Sequence, residues 1–200
     1  TLLEKDLAFY CECSRKELSQ QASHSNEIIY PGNCSHKHLA PNKGLAIRLK
    51  VPNETIRFID EIKGPQSQQL KEKVGDFVIK RKDGLFAYQL AVVIDDAEQN
   101  ITHIMRGEDL LDSTPRQIQI QRYLSLATPQ YAHTPLVMGS DNKKFSKSSP
   151  GSKPLDISLQ TLVDSWHFLK QSKINTHDFD STESFWKWAI ENWDINLIKK

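Results

Sequence analysis

The chain has 200 residues, 38% apolar and 26% charged, with a net charge of +1. That is ordinary globular composition, enough for one sizeable core or two small ones, with no strong field for or against nucleic acid. No run of 18 apolar residues exists and no basic-then-apolar leader opens the chain, which excludes a helical membrane span and gives no sign of secretion. Three cysteines, an odd number, argue against a disulfide framework and for a reducing compartment, hence a cytoplasmic location. Because the first residue is Thr1 and not Met, the chain is expected to be a piece of a longer protein.

Residues 1–73 are polar and hold all three cysteines. "TLLEKDLAFYCECSRKEL" predicts a helix running into a Cys-rich turn. "GLAIRLKVP" and "TIRFIDEI" alternate apolar and polar residues, as half-buried strands do. Residues 74–150 are the most strongly patterned. "DFVIKRKDGLFAYQLAVVIDD" predicts two strands around the Asp83-Gly84 turn, the second a nearly continuous apolar run suited to a strand buried on both faces. "STPRQIQIQRYLSLA" predicts a helix capped by Ser113 or Thr114 with Pro115 at its first position, and with Ile120, Tyr123, Leu124 and Ala127 on one face. "YAHTPLVMG" predicts another strand, and strand–helix–strand order implies a βαβ unit with a parallel sheet. Residues 151–200 read as helical. "LDISLQTLVDSWHFLKQ" is amphipathic, and "DSTESFWKWAIENW" opens with Asp180 and Glu183 placed like a capping box and puts Trp186, Ile190 and Trp193 on one core face.

Two stretches carry chemistry. Cys11 and Cys13 lie two apart and Cys34 follows on a turn, a set that can surround one zinc ion or can be three unrelated buried thiols. For a fourth ligand the nearby groups are His24, His36, His38 and Tyr30, and chemistry alone favours a neutral imidazole. The stretch "KKFSKSS", Lys143 to Ser149, is either a solvated turn or a loop that grips phosphates. Tyr88, read alone, is a core tyrosine, and Arg106 in "MRGED" pairs locally with Glu108 or Asp109. Asp95 and Asp96, read at the carboxyl edge of a strand, are secondary candidates.

Taken together, "DFVIKRKDGLFAYQLAVVIDD", "ITHIMRGEDLLDSTPRQI", "YAHTPLVMG" and "KKFSKS" resemble the glutamyl-tRNA synthetase group of class I aminoacyl-tRNA synthetases. The resemblance is nearest to its short branch, the glutamyl-queuosine tRNA(Asp) synthetases, and covers nearly the whole chain, strongly over 74–148. It implies an α/β fold: the second half of a Rossmann-like parallel-sheet catalytic domain over 74–150, a zinc-binding insertion over 1–73, and a helical segment over 151–200. "KFSKS" is similar to the KMSKS loop, with Phe145 in place of Met, its ring expected to pin the loop. The resemblance implies that Lys147 and Lys144 act in catalysis and that Lys147 and Ser146 hold the ATP phosphates, with Mg²⁺ expected. It implies that Tyr88 and Arg106 bind L-glutamate, the arginine through a planar fork suited to a carboxylate. The branch's C-x-C then Y-x-x-x-C pattern implies structural zinc on Cys11, Cys13, Tyr30 and Cys34, with His36 in reserve, although the gap before Tyr30 is longer than is usual there.

The family's R-x-A-P-S-P-x-G and H-x-G-H or H-x-G-S segments do not occur in these 200 residues. The chain therefore reads as the C-terminal two-thirds of a monomeric enzyme that activates glutamate with ATP and passes it to queuosine in tRNA(Asp). Half a parallel sheet exposes an edge and an apolar face, so the piece alone is expected to be poorly soluble and inactive. Rival readings are a glutamyl-tRNA synthetase that charges tRNA(Glu) and a non-catalytic zinc-binding relic that only binds tRNA.

Overall fold

The structure, a computed structural model, describes residues 1–21, 29–139, 144–145 and 156–199. They fall into two compact units. The first holds Thr1–Ile59, Pro65–Ile104 and Asp112–Gln130, and the second Asp60–Gly64, Met105–Leu111 and Tyr131–Lys200. Among the described residues no helix is long and apolar enough to cross a membrane.

The first unit is organised by an antiparallel sheet. Strand β1 (Ala8–Cys11) pairs with β2 (Ala46–Leu49), Ala8 opposite Leu49 and Cys11 opposite Ala46. The expected opening helix is therefore absent. Residues 1–7 form turns closed by the Leu7 N–H on the Leu2 carbonyl at 2.9 Å. Asp6, at φ +54°, then throws the chain out of helical geometry and "AFYC" pairs as a strand. Helix α1 (Arg15–Gln21) follows, opened by a reciprocal box in which Ser14 Oγ accepts from Glu17 N–H and Glu17 accepts from Ser14 N–H. Strand β3 (Thr55–Asp60) lies where alternation placed it, and β4 (Gly64–Gln69) and the short α2 (Leu70–Lys73) follow. Strand β5 (Phe77–Lys80) joins the first sheet beside β2, with Leu49 opposite Phe77, so this unit runs straight through position 73.

"FAYQLAVVIDD" is not a buried strand. It is helix α3 (Tyr88–Glu98), in which only Val93 is fully buried. A nearly continuous apolar run of this length fits a helix as well as a strand buried on both faces. Asp95 and Asp96 thus sit in the last turn of a helix rather than at a sheet edge, and Asn100 at φ +56° ends the helix. Strand β6 (His103–Gly107) and a 3₁₀ turn (Glu108–Ser113) lead into α4 (Thr114–Leu124). Ser113 is its N-cap by position but Pro115 is second, not first, and the Ser113 hydroxyl accepts from Gln89 at 2.9 Å. Burial on α4 is not confined to one stripe: Gln117, Ile118, Gln119, Ile120 and Gln121 are all buried, whereas Ala127 is exposed. Gln117 donates to Gln89 at 3.0 Å, which ties α4 to α3 through a partly buried amide pair.

The second unit is built on the ends of four strands, in sheet order β4-β3-β7-β6, where β7 spans Gln130–Thr134. Asp60 of β3 and Tyr131 of β7 form a parallel pair. Helices α5 (Leu159–Phe168) and α6 (Thr182–Asn192) pack a core of Val163, Trp166, Ile174, Phe185 and Ala189, and α7 (Ile195–Ile198) packs Ile198 with Ile62 and Ala132. The expected capping pair on α6 is shifted by one residue: Ser181 caps it, in a box with Ser184. The buried face also differs from the expected one. Phe185 and Ala189 go inside, and Trp186 and Ile190 are 52% and 77% exposed. Of the three expected core residues, Trp193 packs against this core, Trp186 touches it through an edge contact with Phe185 at 5.5 Å between ring centroids, and Ile190 is exposed.

Candidate metal centre and substrate-binding residues

Strand β1 delivers Cys11 to the buried side of its sheet, and the chain leaves the strand so that Cys13 returns beside it. Cys34 arrives on the 30–37 turn. The three sulfurs lie within 4.8 Å of one another. Cys13 Sγ is 3.5 Å from Cys34 Sγ, and Cys11 Sγ is 3.6 Å from the Tyr30 hydroxyl. A zinc tetrahedron with ligand distances of about 2.3 Å has edges of about 3.8 Å, so these separations match its size. The Tyr30 oxygen also accepts the Cys34 N–H at 2.8 Å. Arg48 stacks its guanidinium 3.8 Å from the Tyr30 ring and donates to Cys11 Sγ at 3.2 Å.

Burial, and then the hydrogen bond with Cys34, pushes the Cys13 thiol up to about 11. Burial also pushes the Tyr30 phenol up. Burial opposes ionisation of Cys34 too, but hydrogen bonds from the Glu12 backbone and from Tyr30 outweigh it and hold that thiol below its ordinary value. Three sulfurs and a phenol oxygen that converge at these separations are donors of the type and spacing a zinc ion takes, so the set fits zinc. His36 and His38 are exposed and outside this convergence, and His24 lies outside the described residues.

Gly75 supports the cluster from below. Its φ is +67°, and a Cβ there would meet the Tyr30 carbonyl oxygen at 2.7 Å and the Tyr30 nitrogen at 3.1 Å. Gly75→Ala should therefore displace the Tyr30 backbone and cost about 2–3 kcal/mol from strain and overlap together. Thermal unfolding and zinc content of the purified variant check this, and unchanged values for both would refute it.

Arg106 projects from β6 in the second unit. Its Nε donates to His133 Nε2 at 3.1 Å, Nη2 donates to the Leu110 carbonyl at 3.4 Å, and the guanidinium lies 5.4 Å from the Tyr131 ring. The acidic neighbours of Arg106 are engaged by lysines: Glu108 pairs with Lys63 and Asp109 with Lys144. The Lys144 hydrogen bond holds the Asp109 carboxyl below the usual carboxylate range. Gly107 makes room for this, since a Cβ there would come 2.6 Å from an Asp109 oxygen. The base of the lysine loop is anchored by backbone: Lys144 bridges Met138, and the Phe145 N–H donates to Val137 at 2.9 Å. The Phe145 ring, expected to pin the loop, is 46% exposed.

Tyr88 is the first residue of α3, in the first unit, and half-exposed rather than buried in a strand. Ser146 and Lys147 lie outside the described residues. The sequence reading missed His133 and Asp60. Both are fully buried, joined at 2.6 Å, and visible beforehand only as an aspartate at the end of one short strand and a histidine within another.

Residues 1–177 match the family described as tRNA synthetases class I (E and Q), catalytic domain. The glutamyl-Q tRNA(Asp) synthetase of Pseudomonas fluorescens is 44% identical over all of this chain, and that of a Janthinobacterium species is 42% identical over 94% of it. The chain spans 65% and 67% of the length of these two relatives. Among solved structures, a glutamate tRNA ligase from Elizabethkingia meningosepticum, in complex with its amino acid, superposes with a TM-score of 0.61 at 25% identity, over 77% of this chain and 35% of that one. A glutamate–tRNA synthetase from Elizabethkingia anophelis has a TM-score of 0.73 at 21% identity, over 98% of this chain and 47% of that one, which is likeness of fold. The chain belongs to the class I (E and Q) tRNA synthetase family.

Proposed function

We propose that this chain is part of an enzyme that activates L-glutamate with ATP and transfers it to the queuosine base of tRNA(Asp). The observation that carries the reading is the 44% identity, over the whole chain, to a protein named for that reaction. The site agrees with it chemically. Arg106 offers an oriented guanidinium to a carboxylate, and Lys144 stands on the neighbouring carboxylate Asp109 at the base of the lysine loop. In activation, a glutamate carboxylate oxygen bonds to the α-phosphorus of ATP while the bond to the β-phosphate oxygen breaks and pyrophosphate leaves. Charge grows on the phosphate oxygens, and cations placed there lower the barrier. Lys147 and Lys144 supply that charge, and Ser146 donates a hydrogen bond. Mg²⁺ accompanies the ATP. Tyr88 and Arg106 hold the glutamate. Cys11, Cys13, Tyr30 and Cys34 hold zinc, which when bound supplies a closed four-ligand crosslink and no chemistry. The enzyme acts as a monomer in the cytoplasm.

The test uses the full-length protein. Lys147→Ala should lower glutamate-dependent ATP–pyrophosphate exchange by about 10²–10³, with the circular-dichroism spectrum unchanged. Exchange at the wild-type rate would remove Lys147 from the mechanism. Glutamate transfer to tRNA(Asp) with and without queuosine separates this reading from charging of a tRNA 3′ end, because only the first needs the modified base.

A further inference from the structure

We infer that His133 and Asp60 are positioning residues for Arg106, acting through a fixed histidine tautomer; this rests on the glutamate-binding role proposed for Arg106. The Arg106 Nε can only donate, so the His133 nitrogen that faces it, Nε2, must be the bare, accepting one. The proton of the neutral ring therefore sits on Nδ1 and points at Asp60 Oδ2, 2.6 Å away. An imidazolium, or the other neutral tautomer, would set N–H against N–H. Asp60 thus decides which face of the histidine Arg106 meets.

The rest of the arrangement is rigid. Both side chains of the pair are 0% exposed. Asp60 Oδ1 accepts from the backbone N–H groups of Ile62 at 3.1 Å, Lys63 at 2.8 Å and His133 at 3.2 Å, so the carboxylate cannot swing. The His133 ring stacks on Tyr131 with an interplanar angle of 15°. The hydroxyl of Thr134 donates to the Arg106 carbonyl at 3.3 Å, so β7 holds that residue by backbone and by side chain. A guanidinium is planar, and fixing its Nε–H direction beside an aromatic ring also fixes where its two terminal nitrogens point. A carboxylate is recognised by that fork only when the plane is correct. The buried pair therefore gives the arginine its aim, in the manner of outer partners that orient a metal-binding histidine.

Two histidine variants separate aim from packing. Asparagine reaches as far as Nδ1, so His133→Asn keeps a donor for Asp60 and removes the acceptor for Arg106. Glutamine reaches the Nε2 position, so His133→Gln keeps the acceptor. In ATP–pyrophosphate exchange by the full-length protein, His133→Asn should raise the KM for glutamate about 10–100-fold with the KM for ATP unchanged, and His133→Gln should recover most of the loss. An unchanged glutamate KM in His133→Asn, where Arg106→Ala raises it more than 100-fold, overturns the inference and leaves the proposed function standing. An unchanged glutamate KM in Arg106→Ala overturns both. If the variants do not fold, ¹⁵N-histidine spectra of the wild type still decide. His133 should be neutral with its proton on Nδ1, and its Nε2 signal should move when glutamate is added. A proton on Nε2, or no response to glutamate, overturns the inference.

Discussion

Cys34→Ser in the intact protein should reduce bound zinc from about one per chain to near zero and lower the melting temperature by about 10 °C. Cys34 links the cluster more than its neighbours do. Its sulfur stands 3.5 Å from Cys13, and its N–H holds the Tyr30 hydroxyl at 2.8 Å. It is also the thiol whose ionisation is eased relative to an ordinary cysteine, whereas Cys13 is pushed up to about 11. Serine keeps the shape but offers a hydroxyl that does not ionise near neutral pH, so the ion would lose a charged ligand that its neighbours cannot replace. Structural zinc sites in small peptides contribute about 10–16 kcal/mol at neutral pH, and even a third of that exceeds the margin of many domains. Tyr30→Phe should be milder, because three thiolates remain and water can complete the shell. His36→Ala should leave metal content unchanged, as the side chain is exposed and outside the cluster. Equal zinc in wild type and Cys34→Ser would remove the metal centre from the account.

The parts legible in the sequence were those with local signatures. Alternation placed β2 and β3, the strand readings beside the Asp83-Gly84 turn and at "YAHTPLVMG" found β5 and β7, and turn and cap residues placed α4 and α6 to within a residue or two. The failures share one cause, an ambiguity that only packing resolves. "AYQLAVVIDDAE" suits a helix or a buried strand, and the pairing of β5 with β2 rather than with this segment settled it. "SFWKWAIENW" has aromatic residues on more than one face, and packing takes the Phe185 face inward and leaves Trp186 half-exposed. The same division runs through the site. Cys11, Cys13 and Cys34 were readable because their spacing is itself a chemical signal, and the structure brings them together. Arg106 stood out only through its motif. Asp60 and His133 are 73 residues apart and meet only because β3 and β7 run parallel side by side. No short-range rule could have joined them.

Asp60→Ala should be the most destabilising single change in the second unit, at about 3–5 kcal/mol. The loss is not that of one ion pair. Truncation leaves the N–H groups of Ile62, Lys63 and His133 and the Nδ1–H of His133 without the acceptor they share, in a place with no solvent to replace it. With a urea slope of about 2 kcal/mol per molar, the unfolding midpoint should fall by about 2 M. Asp60→Asn should cost less, because its carbonyl oxygen still serves the backbone donors. Its amide, however, faces Nδ1, so either two donors oppose each other or the ring shifts its proton to Nε2 and opposes Arg106. Acid distinguishes the charge from the shape. Burial disfavours the Asp60 anion, but its hydrogen bonds from His133 and the backbone outweigh that and hold the carboxyl below its ordinary 3.8. A depressed carboxyl stabilises fully above the unfolded value, and that share disappears as the pH falls through the lower folded value. The stability difference between wild type and Asp60→Asn should therefore be constant from pH 7 to about 5 and shrink steadily below about 4. A difference that stays constant down to pH 2 would mean that Asp60 contributes by shape and hydrogen bonding alone, and that its negative charge does not fix the histidine tautomer.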